Sequence, residues 1–304
     1  MLEFSDVTLL SQNIIKPFLY RYGQNSCQHS FAAMYTMKSK YGDRFATEDD
    51  ILFIKRTGKC TEEDNIYLAP MCERKKLRKG IELILEDARA EGKKAVFETV
   101  TETDAGVINE LFPDTFELTD CRDYYEYIYL SDKLEDLPGH ELASKRYDIN
   151  TFYREYGGRV SVCPLEEDVI SEVRKFQEEW LSEKFHDSDE DVQLILENEA
   201  IGIGLDNFEE LGLRGLVVYI DDIMVGYCYG VPISDDCFDV LIEKGDRTYK
   251  DIYKILNREL VVREASGFMY INREEDVGVP GLRKAKLSYK PDILLPKMVL
   301  KEKR

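Results

Sequence analysis

"LRGLVVYIDDIMVGYCYGVPISDDCFDVLIEKGDRTYKDIYKILNRELVVREASGFMYIN" (residues 213–272) decides the fold. Two β-rich runs, 213–220 and 223–233, flank Asp221-Asp222, which by length and turn chemistry makes a hairpin. CFDVLIEKGD (237–246) is a third strand ending in a glycine turn. TYKDIYKILNRELVVREASG (248–267) has helical periodicity and closes on Gly267, and FMYIN returns to strand.

Working outward, LEEDVISEVRKFQEEWLSEKF (165–185) sets Val169, Ile170, Val173, Phe176 and Trp180 at helical spacing. Ser188 before Asp189-Glu190-Asp191 is a helix start leading into VQLILENEAI. Downstream, GLRKAKLSY is a short helix and DILLPKMVLKEK a terminal strand. The first half repeats part of this order. DILFIKR and NIYLAPM form a hairpin-like pair around KCTEED, and residues 75–92 form a helix. KAVFETV is then a strand, TDAGVINELF a helix and DYYEYIYL a final strand. In both halves about twenty residues separate the start of the long helix from the next strand, 75 to 95 and 248 to 268. The order is that of one α+β unit present twice. The length of 304 residues suits two domains, because single cores stop growing at about 250–300 residues. Pro138-Gly139 and Gly157-Gly158 bracket a polar stretch, which places the boundary near 157 and gives domains 1–157 and 158–304.

The net charge of −19 opposes nonspecific binding to nucleic acid or anionic lipid. The charge is uneven: residues 271–304 hold nine Lys/Arg against five Asp/Glu. Seven cysteines with no C-x-x-C pair fit a reducing compartment better than a disulfide framework. The opening MLEFSDVTLL lacks the features of a signal peptide, and no run of 18 apolar residues occurs, so a cytoplasmic location is expected.

The residues also limit the chemistry. DSDEDVQLILEN places Asp187, Asp189 and Asp191 as in a calcium loop. However, Val192 stands where the loop needs glycine and Asn198 where it needs glutamate. His29, His140 and His186 are far apart, so no metal site is expected. There is no G-x-S-x-G, Walker or G-x-G-x-x-G motif. EKGDRTYKDIY (243–253) does put Lys244, Gly245 and Arg247 between a strand and a helix N-terminus, where free N–H groups favour an anion. The run ERKKLRKG (73–80) places five cations at the equivalent helix start of the first half. In INREEDVGVPGLRKAKLSYKP, Asn272, Glu274 and Glu275 follow a strand end. Arg283 and Lys286 share a helix face there, and Tyr289 offers a phenol that can donate a proton.

The segments YYEYIYLSDKLEDLPGHELASKRYDINTFYREY, IEKGDRTYKDIYKILNREL and YINREEDVGVPGLRKAKLSYKP resemble a bacterial family allied to the C-terminal, cytosolic domain of phosphatidylglycerol lysyltransferase. The resemblance implies an α+β fold of two tandem GNAT-like (acyl-CoA N-acyltransferase) domains, each a mixed, mainly antiparallel sheet flanked by helices, as in Fem-type aminoacyl transferases. It implies an acyl or aminoacyl transferase using acyl-CoA or aminoacyl-tRNA as donor and an amine or hydroxyl as acceptor. Tyr289 falls where many GNAT enzymes place a general-acid tyrosine. Glu274 or Glu275 would serve as base, and Arg283, Lys286 and Lys244 would neutralise donor phosphates. Glu243-Lys244-Gly245-Asp246 departs from the usual GNAT phosphate loop. The transmembrane region of lipid lysyltransferases is absent from these residues. The alternative is a catalytically silent module of this fold that holds a small anionic ligand in the interdomain cleft.

Overall fold

The computed structural model describes residues 2–184 and 191–303. The expected cap at Ser188, together with His186, Asp187 and Asp189, lies outside the described residues. In chain order the strands are β1 Ser5–Asp6, β2 Asp43–Glu48, β3 Ile51–Arg56, β4 Asp64–Tyr67, β5 Lys94–Thr101, β6 Phe116–Asp120 and β7 Glu126–Leu130. They continue with β8 Val160–Pro164, β9 Arg214–Ile220, β10 Ile223–Pro232, β11 Cys237–Gly245, β12 Tyr270–Asn272, β13 Ile293–Leu295 and β14 Lys297–Glu302.

The hairpin expected at Asp221-Asp222 is present. Both residues take positive φ, 51° and 62°, and Ile220 pairs directly with Ile223 across the two-residue turn. Aspartate tolerates this left-handed region better than most side chains do. Farther along, the β10–β11 register shifts between Tyr229 and Gly230. A Cβ on Gly230 would lie 2.1 Å from the Asp239 carbonyl oxygen, so the close approach of the two strands requires glycine there.

The strands form two seven-stranded sheets, β1-β2-β3-β4-β5-β14-β6 and β8-β9-β10-β11-β12-β7-β13. Written from matching ends, the two orders coincide position by position. Each sheet contains a parallel pair, β4–β5 in the first and β11–β12 in the second, whereas β1–β2, β2–β3, β3–β4, β5–β14 and β14–β6 in the first and β8–β9, β9–β10, β10–β11 and β12–β7 in the second are antiparallel. A helix bridges each parallel pair, Leu77–Ala90 and Ile252–Leu260, as a parallel connection requires. The self-similarity seen in the sequence is therefore that of two mixed, mainly antiparallel α+β units.

The sixth strand of each sheet comes from the other half of the chain. β7, expected as the last strand of the first half, pairs antiparallel with β12. β14 inserts between β5 and β6 of the first sheet. Pro296, which has no N–H, splits the expected terminal strand into β13 and β14 and so permits this change of sheet. The chain accordingly divides into two compact units: residues up to Tyr127 with Glu275–Lys284 and Leu294 onward, and Ile128–Glu274 with Ala285–Ile293. Residue 157 lies inside the second unit.

In the first unit the helix Leu77–Ala90 buries Leu77, Ile81, Ile84, Leu85 and Ala88, one apolar stripe, in a core with Ile51, Phe53, Tyr67 and Phe97. In the second unit the helix Ile252–Leu260 buries Ile252, Ile255, Leu256 and Leu260 and packs on β10 and β11. This helix starts four residues later than the periodicity predicts. Asp246 accepts the Thr248 N–H (2.8 Å) and hydroxyl (2.7 Å), which holds 246–248 as a turn. Asp251, at φ 69°, then begins the helix.

Candidate functional site

In the second unit, Glu243 and Lys244 are consecutive on β11, so their side chains leave opposite faces of the sheet. Glu243 Oε2 accepts a hydrogen bond from Arg273 Nη2 at 2.7 Å. Lys244, buried, donates to Glu197 Oε2 at 2.6 Å, and its Nζ lies 4.1 Å from the Trp180 ring centroid. Gly245 sits tight against the following helix: a Cβ there would approach Ile252 Cγ2 to 2.9 Å. Arg247 is exposed.

Arg273 also lies over the Tyr289 ring, 5.2 Å from its centroid. Tyr289 is 6% exposed and meets Tyr129 edge to face. Burial pushes its phenol up to about 12 against the pull of Arg273, so at neutral pH it is a proton donor. The Lys145 ammonium, from the helix Ala143–Tyr156, lies 4.5 Å from the same ring centroid. Partial burial lowers the Lys145 pKa, and the like charges of Lys254 and Arg273 add to this against the opposing effect of Asp148. Lys254 is itself held by Asp148 (2.5 Å) and Asp251 (2.6 Å); these bonds outweigh its burial and keep its pKa above normal. Lys286 is buried and donates to the Arg273 carbonyl, while its own carbonyl accepts the Tyr129 hydroxyl at 2.7 Å.

The remaining sequence-predicted residues fall elsewhere. Asn272, fully buried at the end of β12, accepts the Glu274 N–H at 2.7 Å and holds Glu274 at φ 56°. In the first unit Glu275 accepts from Gln28 Nε2 (3.3 Å) and Cys27 Sγ (3.2 Å). Arg283, also in that unit, grips the buried Asp276 with two bonds, 2.9 and 2.7 Å, and reaches Asp123 at 2.6 Å. Burial opposes the charge of Asp276. Hydrogen bonds from Arg283, Tyr127 and the Gly278 N–H nevertheless hold its carboxyl well below the usual carboxylate range.

The structure thus joins the two sequence stretches through Glu243–Arg273–Tyr289, with Lys286 beneath. It directs Lys244 to the other face of the sheet and engages Arg283 with Asp276. Lys145, Lys254, Glu243 and Arg273 were not among the sequence candidates. A signal for Lys145 did exist: residues 145, 149 and 152 are spaced at helical intervals, and Ile149 and Phe152 are buried, so Lys145 belongs to a stripe that should be apolar.

The family model for the C-terminal region of phosphatidylglycerol lysyltransferase matches residues 20–301. A crystal structure of a conserved protein of unknown function from Bacteroides thetaiotaomicron is 31% identical, covers 100% of both chains and superposes at a TM-score of 0.93. L-PGS from Bacillus licheniformis shares the fold at a TM-score of 0.67, with 15% identity over 95% of this chain and 90% of that one. A tandem GNAT protein from the clavulanic acid biosynthesis pathway shares it at 0.53, with 9% identity over 99% of this chain and 98% of its own. The two α+β units are therefore GNAT-like and in tandem. An uncharacterized protein from Mycoplasmoides gallisepticum is 24% identical over 175 residues, 58% of this chain and 55% of that relative, so the match spans about half of its length. Among the described residues no helix is long and apolar enough to cross a membrane.

Proposed function

Since the chain belongs to the family of the C-terminal region of phosphatidylglycerol lysyltransferase, we propose that it transfers an acyl or aminoacyl group from an activated donor to an amine or hydroxyl acceptor. The observation that carries this reading is the Tyr289 phenol, kept protonated by burial and lying against the charges of Arg273 and Lys145. Acyl transfer requires a proton for the leaving group, the sulfur of acyl-CoA or the ribose oxygen of aminoacyl-tRNA. A positioned acid of this kind contributes about 10²–10⁴ in rate. The acceptor attacks the acyl carbon directly and its proton passes to a base, for which the sequence names Glu274 or Glu275. Cations around Tyr289 favour the negative charge that develops on the carbonyl oxygen.

The donor is acyl-CoA or aminoacyl-tRNA, and the family's own description makes the aminoacyl donor the nearer choice. The test is to incubate the chain with each donor and a panel of amines and alcohols and to detect product by mass spectrometry. Wild type should form product and Tyr289→Phe at least tenfold less. A second reading, a silent module for a small anionic ligand, draws support from one observation. Lys244, Lys286 and Arg283, expected to meet donor phosphates, are engaged by Glu197, the Arg273 carbonyl and Asp276. Thermal-shift screening separates the readings, because a ligand of the native state raises Tm. Stabilisation by CoA esters or aminoacyl-tRNA favours the transferase, and stabilisation by small anions alone favours the module.

A further inference from the structure

Around Tyr289 the cations differ in how they are satisfied. Arg273 is paired with Glu243, and Lys254 with both Asp148 and Asp251. Lys145 makes no ion pair among the described residues, and its nitrogen lies over the Tyr289 ring, half-buried. We propose that Lys145 is a catalytic residue, the amine that takes the proton from the attacking acceptor beside the phenol that protonates the leaving group. This rests on the transferase reading above and assigns to Lys145 the base role expected of Glu274 or Glu275.

The glutamates fit that role less well. Glu275 is bonded to Gln28 and Cys27 in the first unit, and Glu274 belongs to a turn fixed by Asn272. Lys145 is in the unit that holds Tyr289. Its surroundings also suit the task. From its own helix Asp148 faces it; from the helix Ile252–Leu260 and its cap, Lys254 and Asp251; from beyond β12, Arg273; and beyond the Pro280–Leu287 helix, the Tyr289 ring. Burial and the two like charges disfavour the ammonium, whereas the ring face favours it. Asp148 and Asp251 are both engaged by Lys254, so their compensation is shared. Burial and the like charges thus shift the Lys145 pKa downward, the direction a base requires.

The step balances. As the bond between the acceptor nitrogen or oxygen and the acyl carbon forms, the acceptor's proton passes to the neutral Lys145 amine. The bond from the acyl carbon to the donor sulfur or ribose oxygen breaks, and the leaving atom takes the Tyr289 proton. The Lys145 ammonium then returns a proton to the Tyr289 phenolate, which restores both groups.

The first test needs no substrate. Competitive labelling of the intact chain with acetic anhydride from pH 7 to 11, read by mass spectrometry, compares Lys145 with the exposed Lys175. Each rate is normalised to its own plateau at high pH. Lys145 should react several-fold faster than Lys175 at pH 8, and Lys254→Met should reduce that advantage. If Lys145 titrates with Lys175 or above it, the base assignment is overturned while the transferase reading stands. The second test is Lys145→Arg in the transfer assay. Arginine keeps the charge and the ring contact, so it would rescue a purely structural role. A base predicts at least a tenfold loss in kcat with little change in KM, and wild-type kcat overturns the proposal. An early-titrating Lys145 in a chain that transfers from neither donor removes the transferase reading and the catalytic role with it.

Discussion

Replacing Lys297 by Met would disturb the most deeply buried ion pair of the first unit. Lys297 on β14 and Glu126 on β7 are both 0% exposed, and their charged atoms are 2.7 Å apart. Lys297 also donates to Ser26 Oγ at 2.7 Å, while Ser26 and the Cys27 N–H donate to Glu126 at 2.7 and 2.9 Å. Removing one partner of such a pair leaves an uncompensated buried charge, which costs about 3–5 kcal/mol. The donors that Glu126 retains place the cost near the lower end, about 3 kcal/mol. For a unit of roughly 150 residues each kcal/mol moves Tm by about 2–4 °C, so Lys297→Met should lower the melting transition by about 6–12 °C. Adding Glu126→Gln removes the stranded charge and should recover more than half of the loss. Differential scanning calorimetry at pH 7.5 of wild type, the single variants and the double variant checks this. A shift below about 2 °C for Lys297→Met, or a double variant no more stable than the single, would refute the reasoning.

Three further outcomes follow from the geometry. Burial, with a contribution from Lys297, pushes His29 down from 6.5 to about 4. Its stabilising effect is therefore complete above pH 6.5 and is lost as pH falls through 4, up to about 3 kcal/mol in all. Urea unfolding at pH 7 and pH 4.5 should accordingly show a smaller pH dependence for His29→Gln than for wild type, and equal dependence would contradict the shift. Arg283→Ala strands the buried Asp276, so it should lower Tm while leaving the KM for donor unchanged; the reverse pattern would restore Arg283 as a substrate contact. Asp222→Gly places the most permissive residue at φ 62° in the β9–β10 turn and should stabilise by a few tenths of a kcal/mol in chemical denaturation. A loss of stability would contradict the turn assignment.

Much of the fold was legible because strong local signals carried it. The Asp221-Asp222 turn, the amphipathic helices at 77–90 and 252–260 and the spacing to the next strand all follow from periodicity within short windows. The exchange of β7 and β14 between the sheets was not legible, because the pairing of strands far apart in sequence is a long-range choice and both strands have ordinary strand composition. Pro296 marks where the chain changes sheet, but a proline alone does not say which sheet follows. Residues 2–50 contribute β1, β2 and helices of at most 11 residues, without an extended periodic block to announce them.

For the site, Tyr289 and Lys286 were readable as part of a basic, aromatic stretch after a strand, and the structure gathers them with Arg273 and Glu243. Sequence alone shows charges but not their counter-charges. Arg283 reads as available until Asp276 is seen against it, and Lys244 until Glu197 is. Lys145 shows the converse. In sequence it is one cation on a polar helix, whereas its position on the buried side of that helix sets it apart.

The transfer assay with wild type and Tyr289→Phe bears most directly on function. Radiolabelled product should accumulate from acyl-CoA or aminoacyl-tRNA with the native chain, and the phenylalanine variant, equally folded by calorimetry, should form at least tenfold less. Equal product from both proteins, or none from either donor, would contradict a role for this phenol in acyl transfer.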